Sequence, residues 1–469
     1  MTQTHRLFGP FVSGEAGHDR FLTRRAFLQT SALLAGSVAF VGMPSPGAAQ
    51  VTRNPLKIPP TASPYGFNLT CGPATSDLGG GTISNVLAYN GQFPGPTFIG
   101  WRGDTIFGRI INNLSEETIT HWHGMVVDHE NDGGPHHTVI PGASRNYKFP
   151  IIQRAALNWY HPHPHMMTAR QVNLGLAGAF IVRDAEEMKL KLPFGPYEVP
   201  LIIRDATLRG NNLDYNAPAS GFNGRLPMVN GTLNPKLNVD RGYYRFRVLN
   251  GANARVFRLA LSNGAPFRVI GNDGGFLPAP VSVTQITLGM GERLDLLVDF
   301  RTLAAGATVM LRCLDAGWDL LQFVGTGVTA PTVVPPTIMP KIETLVGPSV
   351  PTRTFSFDGM SRINGQEFDM NRTDFTVPFG VVERWRFVSG GNGPHPIHVH
   401  GASFQVVSRS GGRGALMPWE AGWKDTVLLL DGESVDILIR FDGYRGLYVL
   451  HCHLLEHEDH GMMANFVVV

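Results

Sequence analysis

The chain has 469 residues, 16% of them charged and 43% hydrophobic, a length that predicts about three ordinary domains. Its 55 glycines and 34 prolines favour short strands and turns over long helices. The formal charge is only +2, so we expect neither a nucleic acid nor an anionic membrane as a partner. The three cysteines share no short spacing, which excludes zinc ribbons and a disulfide-dense scaffold and leaves at most one bridge, Cys71 to Cys313.

The first predicted element is an export signal in residues 1–49. A Thr-Arg-Arg-Ala-Phe-Leu stretch starts at Thr23, an apolar run continues to about Met43, and the small residues Gly47–Ala49 follow. This order resembles a twin-arginine signal that is cleaved after Ala49. Because the apolar run contains Thr, Ser and Gly, a retained membrane anchor is disfavoured. We expect a periplasmic or secreted protein without an anchor after cleavage.

The rest of the chain is dominated by strand-like alternation of apolar and polar residues, as in residues 293–296. One glycine-led segment recurs three times, beginning at Gly142, Gly291 and Gly432. This repeat predicts three β-domains in tandem, separated by proline-rich linkers. The predicted domains are residues 50–185, 186–345 and 346–469.

Fifteen of the 17 histidines fall into two groups near the ends of the mature chain, and the other two, His5 and His18, belong to the predicted signal. Eight lie between His121 and His165, seven lie between His395 and His460, and none lies between these two groups. On a strand, residues two apart point to the same face, so a His-x-His pair presents two imidazoles side by side. One such pair is commonly a solvated surface strand, but four pairs predict a polynuclear metal site, and imidazole suits copper, zinc, iron and nickel alike. The four pairs are His121/His123, His161/His163, His398/His400 and His451/His453.

Cys452 lies between the two histidines of the last pair, so its side chain points to the opposite face of the strand and can serve a second site. His395, His457 and Met462 complete a set of one thiolate, two imidazoles and a weak thioether. This is the ligand set of a blue copper electron-transfer centre. A lone cysteine is more often a small buried hydrophobe, but this grouping of residues favours copper.

With these motifs the sequence resembles the bacterial three-domain multicopper oxidases, which include periplasmic cuprous oxidases and laccases. The four motifs stand in the family order, and the similarity extends through the chain that follows the signal. The resemblance implies an all-β fold of three tandem cupredoxin-like Greek-key β-barrel or sandwich domains. The matching stretches are residues 121–124, 159–163, 395–401 and 451–463, with a further match at residues 90–96.

The resemblance also implies four copper ions, one of type 1, one of type 2 and two of type 3. The implied type 1 ligands are His395, Cys452, His457 and Met462. The implied type 2 ligands are His121 and His398, and the implied type 3 ligands are His123, His161, His163, His400, His451 and His453. Asp132 matches the family's acidic residue near the trinuclear waters, and Glu458 matches its proton-delivery carboxylate. Without the resemblance, a turn residue and a solvated charge are the ordinary interpretations of these two.

The implied reaction is laccase-like: phenols, aromatic amines or similar donors give single electrons to the type 1 copper, and O2 takes four electrons to form water. A cuprous oxidase acting on Cu(I) is the alternative within the class, although residues 390–394 lack acidic and thioether side chains. A noncatalytic scaffold, like exported cell-division proteins without the copper ligands, is disfavoured by the complete ligand set. A zinc hydrolase fits the thiolate and thioether poorly. The remaining histidines, expected in loops, are His129, His136, His137, His165 and His460.

Overall fold

The computed structural model describes residues 51–469, and the predicted export signal at residues 1–49 lies outside these described residues. Strands make up most of the regular structure, which confirms the all-β prediction. No helix in the described part of the chain is long and apolar enough to cross a membrane. The α-helices of this part are α1 (His129–Asp132), α2 (Thr168–Asn173), α3 (Ala185–Lys189) and α4 (Leu455–Asp459). Single 3-10 turns occupy Pro135–His137, Gly195–Tyr197 and Pro418–Glu420.

The first sandwich contains a sheet with the order β4-β3-β6-β8 and a second sheet with the order β2-β5-β10-β9-β7. Its core is rich in aromatic residues, including Trp122, Tyr160 and Phe180. The strands up to its end are β1 (Asn54–Pro55), β2 (Thr61–Ala62), β3 (Tyr65–Asp77), β4 (Ile83–Tyr89), β5 (Gly95–Trp101), β6 (Thr105–Asn112), β7 (Thr120–His121), β8 (Ser144–Pro150), β9 (Ala156–Pro162) and β10 (Gly178–Arg183).

The middle sandwich consists of a sheet with the order β1-β16-β24-β23-β18-β21 and a sheet with the order β15-β14-β11-β17-β22-β19-β20. Strand β1 joins it from the start of the described chain, because Asn54 pairs with Pro235. The strands in this part of the chain are β11 (Glu198–Ala206), β12 (Leu208–Arg209), β13 (Asn212–Leu213), β14 (Leu226–Val229), β15 (Thr232–Leu233), β16 (Pro235–Arg241), β17 (Tyr243–Asn250), β18 (Phe257–Leu261), β19 (Phe267–Asn272), β20 (Gly275–Val283), β21 (Gln285–Leu288), β22 (Arg293–Asp299), β23 (Thr308–Cys313) and β24 (Trp318–Thr329). Of these, β12 and β13 pair with each other in a separate two-stranded sheet.

The third sandwich pairs a sheet with the order β26-β25-β28-β32-β30 with a sheet with the order β27-β34-β33-β29-β31. Its core contains Trp385, Phe466, Cys452 and Met462. Its strands are β25 (Arg353–Asp358), β26 (Arg362–Ile363), β27 (Phe375–Val377), β28 (Val382–Ser389), β29 (His395–Val399), β30 (Phe404–Ser410), β31 (Thr426–Leu429), β32 (Ser434–Arg440), β33 (Gly446–Cys452) and β34 (Met463–Val468).

Burial along the strands shows which faces meet another sandwich. Strand β28 alternates between buried and partly exposed residues, as expected for a strand with one solvated face. Strand β9 is buried at every position. Its Leu157 and Trp159 pack with Ile202 and Leu249 of the middle sandwich, so both faces of β9 lie against protein.

The cysteines are distributed among the three cores. Cys71 is buried in the first core and Cys313 in the middle core, and both are free thiols. The single bridge that the sequence left open is therefore not formed. Cys452, also free and buried, lies in the third core.

Candidate metal centre

Each His-x-His pair lies at the end of a strand. The first histidine belongs to the strand in β7, β9, β29 and β33. The second histidine directly follows the last strand residue in β9, β29 and β33, and it stands two positions after that residue in β7. The register places His121 opposite His161 and His398 opposite His451. Within each pair the two ring centroids are 4.8 to 6.1 Å apart. The imidazoles therefore stand side by side, as the spacing predicts, and they converge between the first and third sandwiches.

Close contacts between ring nitrogens divide these histidines into three sets. The sets are His121 with His398, His163 with His400 and His451, and His123 with His161. Nitrogen-to-nitrogen distances within the sets are 3.1 to 3.4 Å. The ring of His453 lies 4.9 Å from that of His123 and 5.3 Å from that of His161, so it extends the third set. All eight side chains are buried.

The chemistry of these nitrogens fits metal ions. The Nδ1 atoms of His121, His161 and His398 lie 2.7 to 2.8 Å from backbone carbonyl oxygens, so these Nδ1–H groups donate outward. A neutral imidazole has one N–H, and each Nε2 therefore turns a lone pair toward the other rings. Burial lowers the pKa of His161 to about 3 and that of His163 to about 4, which keeps the neutral, ligating form. Lone pairs that face each other at such distances require a cation between them.

A second group lies on the other side of β33. The Sγ of Cys452 is 3.5 Å from His395 Nδ1 and 3.8 Å from His457 Nδ1, and these two nitrogens are 3.3 Å apart. Burial raises the pKa of the Cys452 thiol. Met462 is fully buried, and its backbone accepts from the Cys452 amide at 3.0 Å and donates to the His457 carbonyl at 2.8 Å. These bonds hold Met462 beside the three converging side chains.

Asp132 and Glu458 both contact the outer nitrogens of the buried histidines. Asp132 ends helix α1, and its Oδ2 accepts from His400 Nδ1 at 2.6 Å. Burial and the nearby Asp128 raise the pKa of Asp132 well above its ordinary value. The carboxylate of Glu458 lies 3.3 Å from His163 Nδ1 and 3.2 Å from His451 Nδ1. Burial alone would raise the pKa of Glu458, but these imidazoles hold it well below its ordinary value.

Sequence reasoning missed two charged residues at this centre, Asp425 and Arg293. Asp425 Oδ1 lies 3.0 Å from His123 Nε2, and Arg293 binds both oxygens of this carboxylate. Both side chains are buried. The available signal was the charged pair Lys424-Asp425 directly before the buried strand β31, because charged residues next to a buried strand need partners.

The five other histidines of the two groups lie outside these sets. His129 and His137 flank the carboxylate of Glu130 on the surface, at 3.3 and 3.6 Å. His136 and His165 pack edge-on against Phe368. His460 Nδ1 lies 2.6 Å from the Glu456 carbonyl at the end of α4.

A surface cavity of about 240 Å³ lies between the sandwiches, next to the centre. Gly124 and Gly401, each directly after a His-x-His pair, line both this cavity and the small void beside His121 and His400. Both glycines have positive φ, and a Cβ on Gly401 would lie 2.8 Å from the Tyr448 ring. Position 401 therefore requires glycine, both for its backbone conformation and for the close packing against Tyr448.

Comparison with known proteins identifies the family. Sequence models described as multicopper oxidase match residues 70–187, 194–310 and 339–469. The multicopper oxidase mco of Staphylococcus aureus is 35% identical over 83% of this chain and 85% of its own length. The cell division protein FtsP of Escherichia coli (strain K12) is 34% identical over 95% of this chain and 99% of its own length.

Solved structures agree with the sequence comparison. The crystal structure of a laccase from Pediococcus acidilactici matches with a TM-score of 0.84 and 34% identity, over 89% of this chain and 94% of that one. The cupredoxin-like architecture expected from the resemblance is confirmed by this match. The chain therefore belongs to the multicopper oxidase family and is an oxidoreductase that couples the oxidation of a substrate to the reduction of O2.

Proposed function

We propose that this oxidase is laccase-like and takes single electrons from phenols or aromatic amines while it reduces O2 to water. The observation that supports this most directly is the position of Cys452. It belongs to the group with His395 and His457, and its chain neighbours His451 and His453 belong to the other histidine sets. Copper, when bound, supplies the one-electron redox chemistry. The backbone of one strand end thus connects the two sites.

We assign four copper ions to these groups. The contacts between ring nitrogens support a type 2 site on His121 and His398, because these two rings meet through Nε2 at 3.4 Å. The proposed type 3 ligands, three in each of the other two sets, are His163, His400, His451, His123, His161 and His453. The proposed type 1 ligands are His395, Cys452, His457 and Met462.

In this proposal the two buried carboxyl groups orient the histidine rings, and one of them also moves protons. Asp132 accepts from His400 Nδ1 and so directs its Nε2 inward. Glu458 reaches the Nδ1 atoms of both His163 and His451 and is the residue that we propose for proton delivery toward the reduced oxygen. Replacement of Glu458 by Gln is expected to slow O2 reduction and to leave the blue absorption of the type 1 copper intact.

An aromatic donor is supported by the segment that precedes His395. His395 Nε2 lies 3.4 Å from the Gly391 carbonyl, and a Cβ on Gly391 or Gly393 would meet no described atom within 4 Å. No side chain therefore narrows the approach of a donor to His395 at these two glycines. Oxygen uptake by the copper-loaded protein, with a phenol and with Cu(I) in separate assays, tests the proposal. A large preference for Cu(I) would contradict it.

One observation favours oxidation of Cu(I) as the second candidate. A cavity of about 500 Å³ beside α4 is lined by His165, Met166, Asp459 and His460, and Met166 is 70% exposed. Imidazole and thioether are ligands that suit Cu(I). If Cu(I) is the substrate, Met166→Leu should raise the KM for Cu(I) and leave phenol oxidation unchanged.

The noncatalytic alternative is represented by the relative FtsP. Copper loading distinguishes the oxidase from the noncatalytic scaffold, because only the oxidase should gain the blue absorption of a thiolate-bound copper. The buried and complete set of twelve candidate ligands in this chain supports the oxidase.

We also propose export by the twin-arginine route, which is supported by the Arg24-Arg25 motif and the small residues before position 50. In a bacterial host, Arg24→Lys with Arg25→Lys should leave the protein in the cytoplasm. Periplasmic accumulation of this variant would contradict the proposed route.

A further inference from the structure

Arg293 connects all three sandwiches through one buried guanidinium. It begins β22 of the middle sandwich, and its side chain is fully buried. Nε donates to the Leu157 carbonyl of the first sandwich at 3.0 Å. Nη1 and Nη2 donate to the carbonyls of Gly291 and Asp273, each at 3.1 Å, and both bind the Asp425 carboxylate. All five N–H donors of the side chain are thus used.

Asp425, which is paired with Arg293, also contacts two of the histidines. Its Oδ1 lies 3.0 Å from His123 Nε2, and its backbone carbonyl accepts from His398 Nδ1 at 2.8 Å. Thr426 Oγ1 donates to the same Oδ1 at 2.9 Å. One residue of the third sandwich therefore contacts a histidine of the first His-x-His pair and a histidine of its own sandwich.

Among the seven histidines that meet through close contacts between ring nitrogens, His123 differs from the other six, which all turn Nε2 inward. Its Nδ1 faces His161 Nε2 at 3.4 Å, whereas its Nε2 faces Asp425. A carboxylate accepts but does not donate, so Asp425 places the proton of His123 on Nε2 and leaves the lone pair on Nδ1. Without a fixed acceptor the ring can take the other tautomer, which turns an N–H toward the cluster.

We infer that Arg293 is a positioning residue through which the middle sandwich, which contributes no histidine, fixes Asp425 and thereby the tautomer and orientation of His123. The bidentate pair holds both carboxylate oxygens in one plane, and a lysine ammonium cannot reproduce this. Gly124 leaves room for the pair, since a Cβ there would lie 2.6 Å from Arg293 Nη2. The inference rests on the proposed copper centre.

The test compares Arg293→Lys with Arg245→Lys in the full chain. Arg245 is an equally buried arginine of the middle sandwich that pairs with Asp295 and Glu187 and contacts none of the histidines. In Arg293→Lys, blue absorbance per protein should stay unchanged, while retention of the trinuclear copper weakens about 10- to 100-fold, as is usual when a partner of a metal ligand is lost. In Arg245→Lys both quantities should match the wild type, apart from a lower melting temperature.

A second readout needs no copper. Nitrogen-15 NMR of the imidazoles in copper-free protein should show His123 as the Nε2–H tautomer in the wild type and as a tautomer mixture in Arg293→Lys. Equal loss of trinuclear copper in both lysine variants, or an unchanged His123 tautomer, would overturn the inference. If Arg293→Lys does not fold, Asp425→Leu tests the second step of the inference, because leucine offers His123 Nε2 no acceptor. Absence of blue absorption in the wild type would instead refute the proposed function.

Discussion

The two candidate copper groups differ in how much of the chain builds them. The group around Cys452 comes from the third sandwich alone: β29 supplies His395, its sheet neighbour β33 supplies Cys452, and α4 supplies His457. The eight other histidines come half from the first sandwich and half from the third. The group around Cys452 therefore needs only the fold of the third sandwich. The group of eight histidines also needs the first and third sandwiches to pack against each other.

The group shared by two sandwiches depends on the hydrogen bonds that hold the first and third sandwiches together. Asp459 of α4 accepts from the backbone amides of Thr168 and Ala169 at 3.0 and 2.9 Å, which ties the third sandwich to the first. Tyr448 donates to the Val127 carbonyl at 2.8 Å. Weakening such contacts should disturb the group of eight histidines, which is the proposed trinuclear site, before it disturbs the group around Cys452, which is the proposed mononuclear site.

The largest effect is expected from Cys452→Ser, which removes the thiolate from the mononuclear group. The blue absorption and donor oxidation should both be lost, because serine is a poor copper ligand and electrons have no entry. The trinuclear site should still fill, since all eight histidines remain. Absorption spectra and copper analysis check this, and a persisting blue band would mean that another residue supplies the thiolate.

The reverse variant, His163→Ala, completes the comparison. His163 belongs to the shared group and contacts His451 at 3.3 Å. The blue absorption should remain while O2 consumption is lost. Loss of the blue absorption in this variant would show that the two groups are not independent.

Lys424→Met is expected to have the next largest effect, because it removes a buried ion pair between the middle and third sandwiches. Lys424 Nζ is buried and lies 2.8 Å from Asp273 and 3.4 Å from Glu292. Removing one partner of a buried ion cluster typically costs about 3–5 kcal/mol. Urea unfolding of the copper-free protein measures this loss, and a change below 1 kcal/mol, within about the range of an exposed pair, would contradict it.

The sequence predicted the ligand histidines better than the residues that orient them. His-x-His spacing on a strand by itself predicts that the two imidazoles share a face. The position of Cys452 between two histidines predicts that its thiol lies on the opposite face. Arg293 and Asp425 are 132 positions apart in the chain. Only the packing of three sandwiches brings them together. The charges before β31 indicate that Asp425 needs a partner, but no local pattern identifies Arg293 as that partner. The Asn54–Pro235 pairing was equally invisible, because a two-residue strand has no periodicity.

Acid should lower the free energy of unfolding through a buried ion cluster around Glu198, which begins β11 of the middle sandwich. Glu198 is buried against Arg183 and Arg247, at 2.6 and 2.8 Å. Burial alone would raise its pKa, but these guanidinium groups lower it to about 2. A depressed pKa contributes stability above the ordinary value of 4.5, so about 3 kcal/mol should be lost as the pH falls from 4.5 toward 2.

Urea unfolding at several pH values below 5 measures this dependence, with Glu198→Gln as the control. In that variant the slope of unfolding free energy against pH should be smaller, because one proton fewer is taken up on unfolding in acid. An identical slope in both proteins would show that Glu198 does not titrate in this range.

Met462→Leu should have the smallest effect and tests the mononuclear group alone. Met462 is fully buried beside Cys452 and His457, and leucine keeps its volume and apolar character. The blue absorption should remain, and the reduction potential should rise, because loss of a weak axial thioether disfavours Cu(II) relative to Cu(I). Redox titration of the blue band measures the shift, and the trinuclear spectra should not change. An unchanged potential would move the axial role to another residue, with the adjacent Met463 as the first to be replaced.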